Sequence, residues 1–252
     1  MKKAKWWNSK FIYYIILILL PILSKAQDSA RAFPMVITHF GFQYPDGDMA
    51  NRFGPNANFG VGFFYKTKSN IIFGAQWSYM FGSKVKEDSI FRNIKTPQGN
   101  IIDIDGKNGA YVIMERGQMA SLGIGKVFAT KNNKNSGITA IAFLNALQHK
   151  IRIQNNANDI PQINNNYRQG YDHLSSGLGA GIFIGYLHVS IKNYFSFYAG
   201  LDASIAYTKN RRFNFDISAV DNTQRQDILY GAKIGIVLPI YHKQAEGKFF
   251  YD

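Results

Sequence analysis

The sequence predicts an all-β fold, an eight-stranded antiparallel up-and-down transmembrane β-barrel with four long extracellular loops. Three observations predict it. Residues 71–83 alternate strictly, with Ile71, Phe73, Ala75, Trp77, Tyr79 and Phe81 on one face and Ile72, Gly74, Gln76, Ser78, Met80 and Gly82 on the other. That two-residue period belongs to a strand. The same accent recurs along the chain in segments joined alternately by short and long connections, and the chain opens with an export signal.

In the opening 26 residues, Lys2, Lys3, Lys5 and Lys10 flank a continuous apolar run, 11–23, and Ser24-Lys25-Ala26 stands before Gln27. A basic start, a short apolar stretch and small residues at a junction make a secretory signal peptide, 1–26, cleaved after Ala26. The run is shorter than the roughly 20 residues of a spanning helix. The chain has no Cys, which excludes a lipoprotein anchor, disulfides and cysteine metal sites. Residues 27–252 then suit one barrel domain. Losing the five lysines of the signal lowers the formal charge from +13 to +8. For an exported chain that balance suits anionic lipid headgroups or lipopolysaccharide, not nucleic acid.

Eight segments carry the strand period. The first, 34–44, sets Val36, Thr38, Phe40, Phe42 and Tyr44 against Ile37, His39, Gly41 and Gln43. The second, 57–67, sets Phe59, Val61, Phe63 and Tyr65 against Gly60, Gly62 and Phe64. The third is 71–83. In the fourth, 111–128, Glu115, Gly117, Met119, Ser121, Gly123 and Gly125 oppose Ala120, Leu122 and Ile124. The fifth, 137–153, is β-like, with ambiguous faces. The sixth, 176–189, sets Leu178, Ala180, Ile182, Ile184 and Tyr186 against four glycines at 177, 179, 181 and 185. The seventh, 194–208, sets Phe195, Phe197, Leu201, Ala203, Ile205 and Tyr207 against Ser196, Gly200, Asp202 and Ser204. The eighth, 227–241, sets Ile228, Tyr230, Ala232, Ile234, Ile236 and Leu238 against Gly231, Lys233 and Gly235.

The connections 68–70, 129–136 and 190–193 are short and polar, whereas 45–56, 84–108, 154–175 and 209–226 are long. Outer-membrane barrels pair short periplasmic turns with long extracellular loops in this way. A narrow barrel has a crowded interior, so the Gly/Ser face belongs inside and the apolar face meets lipid. A soluble sandwich would expose that Gly/Ser face, where Lys, Glu and Thr are the usual occupants. Tyr44, Tyr65, Tyr79, Phe81, Tyr111, Tyr186, Phe195, Tyr207 and Tyr241 fall near strand ends, where headgroup girdles need aromatics.

Inward parity gathers a lumenal polar set of His39, Gln43, Gln76, Glu115, Asp202 and Lys233. Asp202 and Lys233 lie at similar heights on neighbouring strands, eight residues from Tyr194 and Tyr241 respectively. A lumenal salt bridge is expected, because charges removed from water need partners. The set reads as a hydrogen-bonded plug, with a gate as its rival.

An acyl hydrolase needs a Ser nucleophile and a His base. Among His39, His149, His173, His188 and His242, only His173 has a serine close by in a long loop, Ser175, and no acidic orienter stands beside the pair. No catalytic residue, metal site or cofactor is therefore assigned. The runs Gly177-Leu-Gly-Ala-Gly181 and Gly123-Ile-Gly125 lie inside strands, so they cannot cradle phosphate at a helix start. Pro45-Asp-Gly-Asp48 reads as a turn, 84–95 as a short helix, 155–166 as an Asn-rich stretch, and Arg211-Arg212 as the opening of the last loop. Loops of this length at a membrane surface contact lipopolysaccharide sugars or a protein partner.

Lys233-Ile-Gly-Ile-Val-Leu-Pro-Ile240 resembles the terminal-strand signal read by the barrel insertion machinery, with Leu238 and Ile240 where aromatics are usual. A short periplasmic tail, about 242–252, follows. With the Ala26-Gln27 junction, Phe33-Pro-Met-Val36, Arg52-Phe-Gly-Pro-Asn56, Tyr65-Lys-Thr-Lys68, Gln148-His-Lys-Ile-Arg-Ile153, Gly170-Tyr-Asp172 and Pro239-Ile-Tyr241, the chain resembles small outer-membrane barrels of the Bacteroidota, in the OmpA/OmpX-like or PorT-like group. The resemblance implies this fold, residence in the cell outer membrane and no catalytic residues. Some small barrels of that phylum serve secretion and gliding machinery. By analogy of fold, it implies a structural or interaction role within a larger complex that has an outer-membrane or periplasmic protein partner. A lipid-modifying enzyme and a narrow channel are the alternatives.

Overall fold

The computed structural model describes residues 30–87, 90–131, 133–155, 159–190 and 195–240. The signal segment 1–26, Tyr194, Tyr241, His242 and the tail 242–252 lie outside the described residues. Eight strands close a barrel: β1 (Phe33–Gly47), β2 (Asn56–Lys66), β3 (Ile71–Gly82), β4 (Val112–Ala129), β5 (Gly137–Gln154), β6 (Ser175–His188), β7 (Ser196–Asn210) and β10 (Gln224–Pro239). Each is antiparallel to both neighbours, and ring order follows chain order. The seam pairs β1 with β10 from Met35↔Pro239 to Gly47↔Asp227. Pro239 lies beyond the last β7 pair, Val237↔Ser196, where a residue without an N–H is tolerated.

Two local expectations fail. Pro45, Asp46 and Gly47 are not a turn but prolong β1 against Leu229, Ile228 and Asp227, after which Asp48 opens a one-turn helix, α1 (Asp48–Arg52). Pairing with β2 ends at Gln43↔Asn56, so β1 is an edge by the time it reaches Pro45. Gly47 makes the sharp entry into α1 at φ 60°, with the Gln226 carbonyl where a Cβ would stand. The first loop, 48–55, is consequently hardly longer than the connection 130–136 at the opposite end. The described part of 84–95 is not helical: Val85 bridges Phe53, and Ile90 and Phe91 are buried. The last loop holds a small ladder of β8 (Phe213–Asn214) and β9 (Ala219–Val220), and the third holds two 3₁₀ turns, Pro161–Ile163 and Asn165–Gly170.

Burial follows the expected parity on every strand with a definite reading and resolves the ambiguous one. On β5, Thr139, Asn145, Leu147, His149, Ile151 and Ile153 point inward, while Ile138, Leu144 and Arg152 point outward. The ambiguity arose because both faces of β5 are apolar. Outward side chains are large and bare: Leu122 is 65% exposed, Leu144 69% and Leu201 69%. A water-soluble monomer rarely carries an apolar surface so extensive. On β10 the outward row runs from Ile228 to Leu238, about 33 Å of strand and about 25 Å of height at a tilt of about 40°. That matches the apolar band of about 25 Å on membrane barrels.

Aromatics bound the band. Tyr44 and Tyr230 stack at 6.1 Å near the long-loop end, and Tyr65 and Phe73 meet at 5.6 Å near the other. Tyr111 is an exception; it packs on Phe91 at 5.2 Å among the long loops, not in a girdle.

The lumen is filled in layers. Phe33, Met35, Phe64, Ile72, Phe183, Leu187, Tyr198 and Val237 pack the short-turn end. Polar side chains occupy the middle. Met80, Met119, Leu147 and Ile151 continue upward into Met49, Phe53, Phe91, Ile160 and Tyr171 of the loops, so one core passes from the barrel into its cap. Inward glycines are what let eight strands enclose such side chains. Gly200 faces Gly185 so closely that a Cβ on either would collide with the other strand. Gly200→Val should therefore overpack the wall and cost about 1–3 kcal/mol, whereas outward Ala199→Val should be near neutral; urea titration of the barrel refolded in detergent compares them.

Candidate functional site

Three of the six lumenal residues meet. Asp202 Oδ2 accepts a hydrogen bond from Gln43 Nε2 at 3.1 Å and lies 3.7 Å from Lys233 Nζ, with all three side chains buried. Register explains the meeting. Gln43, Gly231 and Asp202 form one row across β1, β10 and β7, and Gly41, Lys233 and Gly200 form the next. The charges are therefore diagonal neighbours, not level ones, and the glycines between them leave lateral room for the side chains.

The other three stand apart. His39 is one row below Lys233, opposite Gly235, with its ring laid over Gly60, where a Cβ would approach Cε1 to 2.5 Å. Its ring nitrogens have no hydrogen-bond partner among the described residues. Gln76 shares a cavity of about 40 Å³ with Lys233 but bonds to none of the Asp202 group. Glu115 lies towards the long loops and accepts from Asn56 Nδ2 at 3.0 Å. The six do not form one continuous network; a buried ion pair with one amide forms its centre.

A second polar group lies where the long loops converge. Arg52, at the end of α1, spends its donors on three partners: Nε on Glu87 Oε2 at 3.0 Å, Nη1 on Ser175 Oγ at 3.0 Å and Nη2 on the His173 carbonyl at 3.1 Å. His173 Nδ1 lies 2.7 Å from Glu87 Oε1, and its Nε2 lies 3.2 Å from both Asn214 Oδ1 and Asp216 Oδ2. Two cations and two carboxylates thus tie together all four loops, and each charge has a partner of opposite sign. Just below, His149 Nε2 meets Asp227 Oδ2 at 2.8 Å and Thr208 Oγ1 donates to the same oxygen at 2.6 Å. Phe53 stacks edge-on to that imidazole at 5.6 Å, joining the ion group to the barrel core.

The electrostatics lock this roof. Burial pushes the His173 imidazole down, but hydrogen bonds to Asp216 and Glu87 outweigh it and hold the pKa at about 9, against Arg52. Burial pushes the Glu87 carboxyl up, but the bond from His173 and the Arg52 charge bring it to about 2. The backbone of His173 is left-handed at φ 45°, which turns its ring towards Glu87 and Asp216. Ser175 Oγ instead donates to the His173 carbonyl at 3.2 Å and accepts from Arg52, so the His173–Ser175 pair has no nucleophile–base contact. No three His, Asp or Glu side chains among the described residues are arranged to hold a metal ion.

Arg52, Glu87, Asn214 and Asp216 escaped sequence reasoning because their contacts join four separate loops. No local spacing betrays such a cluster; the one signal was His173 itself, an imidazole beside a buried strand start.

No family model matches the chain, and no curated protein matches it. Among solved structures, it is similar to neisserial surface protein A (13% identity, 82% of this chain and 99% of that one, TM-score 0.37). It is also similar to Ail, the attachment invasion locus protein of Yersinia pestis (9% identity, 83% and 100%, TM-score 0.39), and to the outer membrane protein OprG of Pseudomonas aeruginosa (11%, 83% and 98%, TM-score 0.32). At this level of similarity none of them bears on function.

Asp202→Leu strands both Lys233 and Gln43 and should cost about 3–5 kcal/mol, more than Gln43→Leu at about 1–3 kcal/mol; equal shifts in the urea midpoint would contradict a central Asp202. For the roof, a raised His173 pKa gives stability that is complete below about 6.5 and lost as pH rises to about 9. A depressed Glu87 pKa gives stability that is complete above about 4.5 and lost as pH falls to about 2. Protease resistance of the loops should therefore plateau between these limits, and His173→Gln should remove the alkaline limb and shrink the acid limb, leaving Arg52 alone to hold the Glu87 carboxyl down.

Proposed function

We propose that the chain is an outer-membrane anchor that holds a rigid loop platform at the cell surface and acts by binding, without catalysis or transport. The single observation that carries this reading is the inverted polarity. Large apolar side chains cover the outside, while the lumen is packed at both ends and roofed by the Arg52–His173 group. An outward band of that height suits the bilayer, and the packed lumen of the described residues supports a closed barrel over a channel. In this reading the barrel insertion machinery folds the chain into the membrane after export. The bilayer and lipopolysaccharide surround the wall, and an outer-membrane or periplasmic protein partner is engaged within an envelope complex, secretion or gliding machinery being candidates from the sequence resemblance. An acyl hydrolase is disfavoured by the committed hydrogen bonds of His173 and Ser175.

Planar-bilayer recording of the purified chain should show no discrete conductance, and regular unitary steps would overturn the closed-anchor reading. Ala142→Arg, at the middle of the outward apolar run from Ile138 to Ala146 on β5, should destabilise the vesicle-inserted barrel by about 2–4 kcal/mol, whereas Gln118→Arg above the band should be tolerated. Equal effects would place the lipid boundary elsewhere.

A further inference from the structure

On the outside of β4 and β5 the surface changes character over a few residues. Outward positions on β5 run Ile138, Ala140, Ala142, Leu144 and Ala146, then Gln148, Lys150 and Arg152. The ladder sets Gln118 against Gln148, whose amides bond at 2.7 Å, and Arg116 directly against Lys150. Like charges opposed across a ladder destabilise it, so this pair leaves unbalanced positive charge at the top of the apolar band.

Two loops add to the imbalance. Arg168 and Arg212 lie over the same place and enclose, with Arg116, Lys150 and Arg152, a cleft of about 510 Å³ whose lining has one carboxylate, Asp172. Asp172 is already engaged by Arg212 and, at 3.7 Å, by Lys150. Arg116, Arg152 and Arg168 make no ion pair among the described residues. Two of these guanidinium groups are nonetheless held in place. Arg116 Nη1 donates to the Glu115 carbonyl at 2.6 Å, and Arg168 Nε donates to the Ile163 carbonyl at 3.3 Å. Preorganised cations of this kind favour an oxyanion, because little side-chain freedom remains to be lost on binding.

Directly beneath, sharing Gln118 and Gln148 as its wall, is a recess of about 380 Å³. Trp77, Ala120, Ala146 and Leu178 form one continuous row across β3, β4, β5 and β6, and the two alanines lower the wall between the larger side chains. One row further down, Leu122 opposite Leu144 restores the bulk. Arg211 stands at the rim, its Nε bonded to Ser176 Oγ at 2.8 Å. A cationic cleft thus sits on a short apolar recess at the level where headgroups give way to acyl chains.

We propose that this is a site for a phosphorylated glycolipid of the outer leaflet. Arg116, Lys150, Arg152 and Arg168 hold the phosphate, and the Ala120–Ala146 recess takes the root of one acyl chain. The site rests on the membrane placement proposed above. Charge complementarity selects phosphate, and the apolar recess, open on the bilayer side, selects a lipid over a free anion or an acidic protein segment.

Native mass spectrometry of the full chain in non-ionic detergent tests it, with four probes: bisphosphorylated lipid A, the same lipid dephosphorylated, inorganic phosphate and an acidic peptide. Lipid A should be retained. Removing its phosphates, or making the double variant Arg116→Gln/Arg152→Gln, should each weaken retention by about tenfold or more, the scale of lost charge-assisted contacts. Ala146→Phe, which fills the recess, should weaken lipid A as well. Heat-modifiable gel mobility confirms that the variants are folded. Equal retention of the dephosphorylated lipid, indifference to either variant, or displacement by equimolar inorganic phosphate or an acidic peptide would overturn the proposal. Refolding into vesicles separates the two levels: a chain that inserts but does not select lipid A overturns the site alone, and a chain that fails to insert overturns the placement beneath it.

Discussion

Closure of β1 on β10 is the constraint on which the rest of the structure depends. Where no water can reach a backbone, each N–H and C=O must find a partner in the fold, and a sheet achieves this only by having no edge. Closing with eight strands fixes a narrow lumen. That narrowness demands inward glycines at positions such as Gly185, Gly200, Gly231 and Gly235, because the strands and rings opposite leave no room for a Cβ. It also determines where large side chains can go. They fill the two ends of the lumen or face outward, and the outward ones form the apolar band on which the proposed membrane placement rests.

The same narrowness explains the polar middle. A charge such as Lys233 cannot reach bulk water from inside the wall, so Asp202 must accompany it, and Gln43 donates to the same carboxylate oxygen. Above that level the core does not stop at the strand ends. Phe53, Phe91 and Tyr171 extend it into the loops, and the Arg52, Glu87, His173 and Asp216 group closes it. Loops joined by shared charges and a shared apolar core present one shaped surface. This is the property on which the proposed binding role rests.

The strands were legible because the barrel inverts the usual polarity without altering the period. Alternation in 71–83 and the Gly/apolar alternation of 176–189 needed no knowledge of neighbours. β5 was opaque because Leu147, Ile151 and Ile153 fill the lumen with the same residue types that Ile138 and Leu144 present outside. Pro45 was misread as a turn because a proline at a one-sided edge leaves no different trace from one in a loop. The Asp202–Lys233 pair could be anticipated from parity and height, though its diagonal register depends on shear. The loop roof could not, since Arg52 and His173 are 121 residues apart and meet only once the barrel has closed.

The cysteine-free chain lends itself to the most direct measurement of the inverted polarity. Single cysteines placed at Leu122, Leu144, Ile182 and Ile234, spin-labelled in lipid vesicles, report accessibility to oxygen and to a water-soluble nickel chelate. Inverted polarity predicts strong oxygen and negligible nickel relaxation at all four positions, with the opposite at Arg152. Nickel access at the four band positions comparable to that at Arg152 would contradict it.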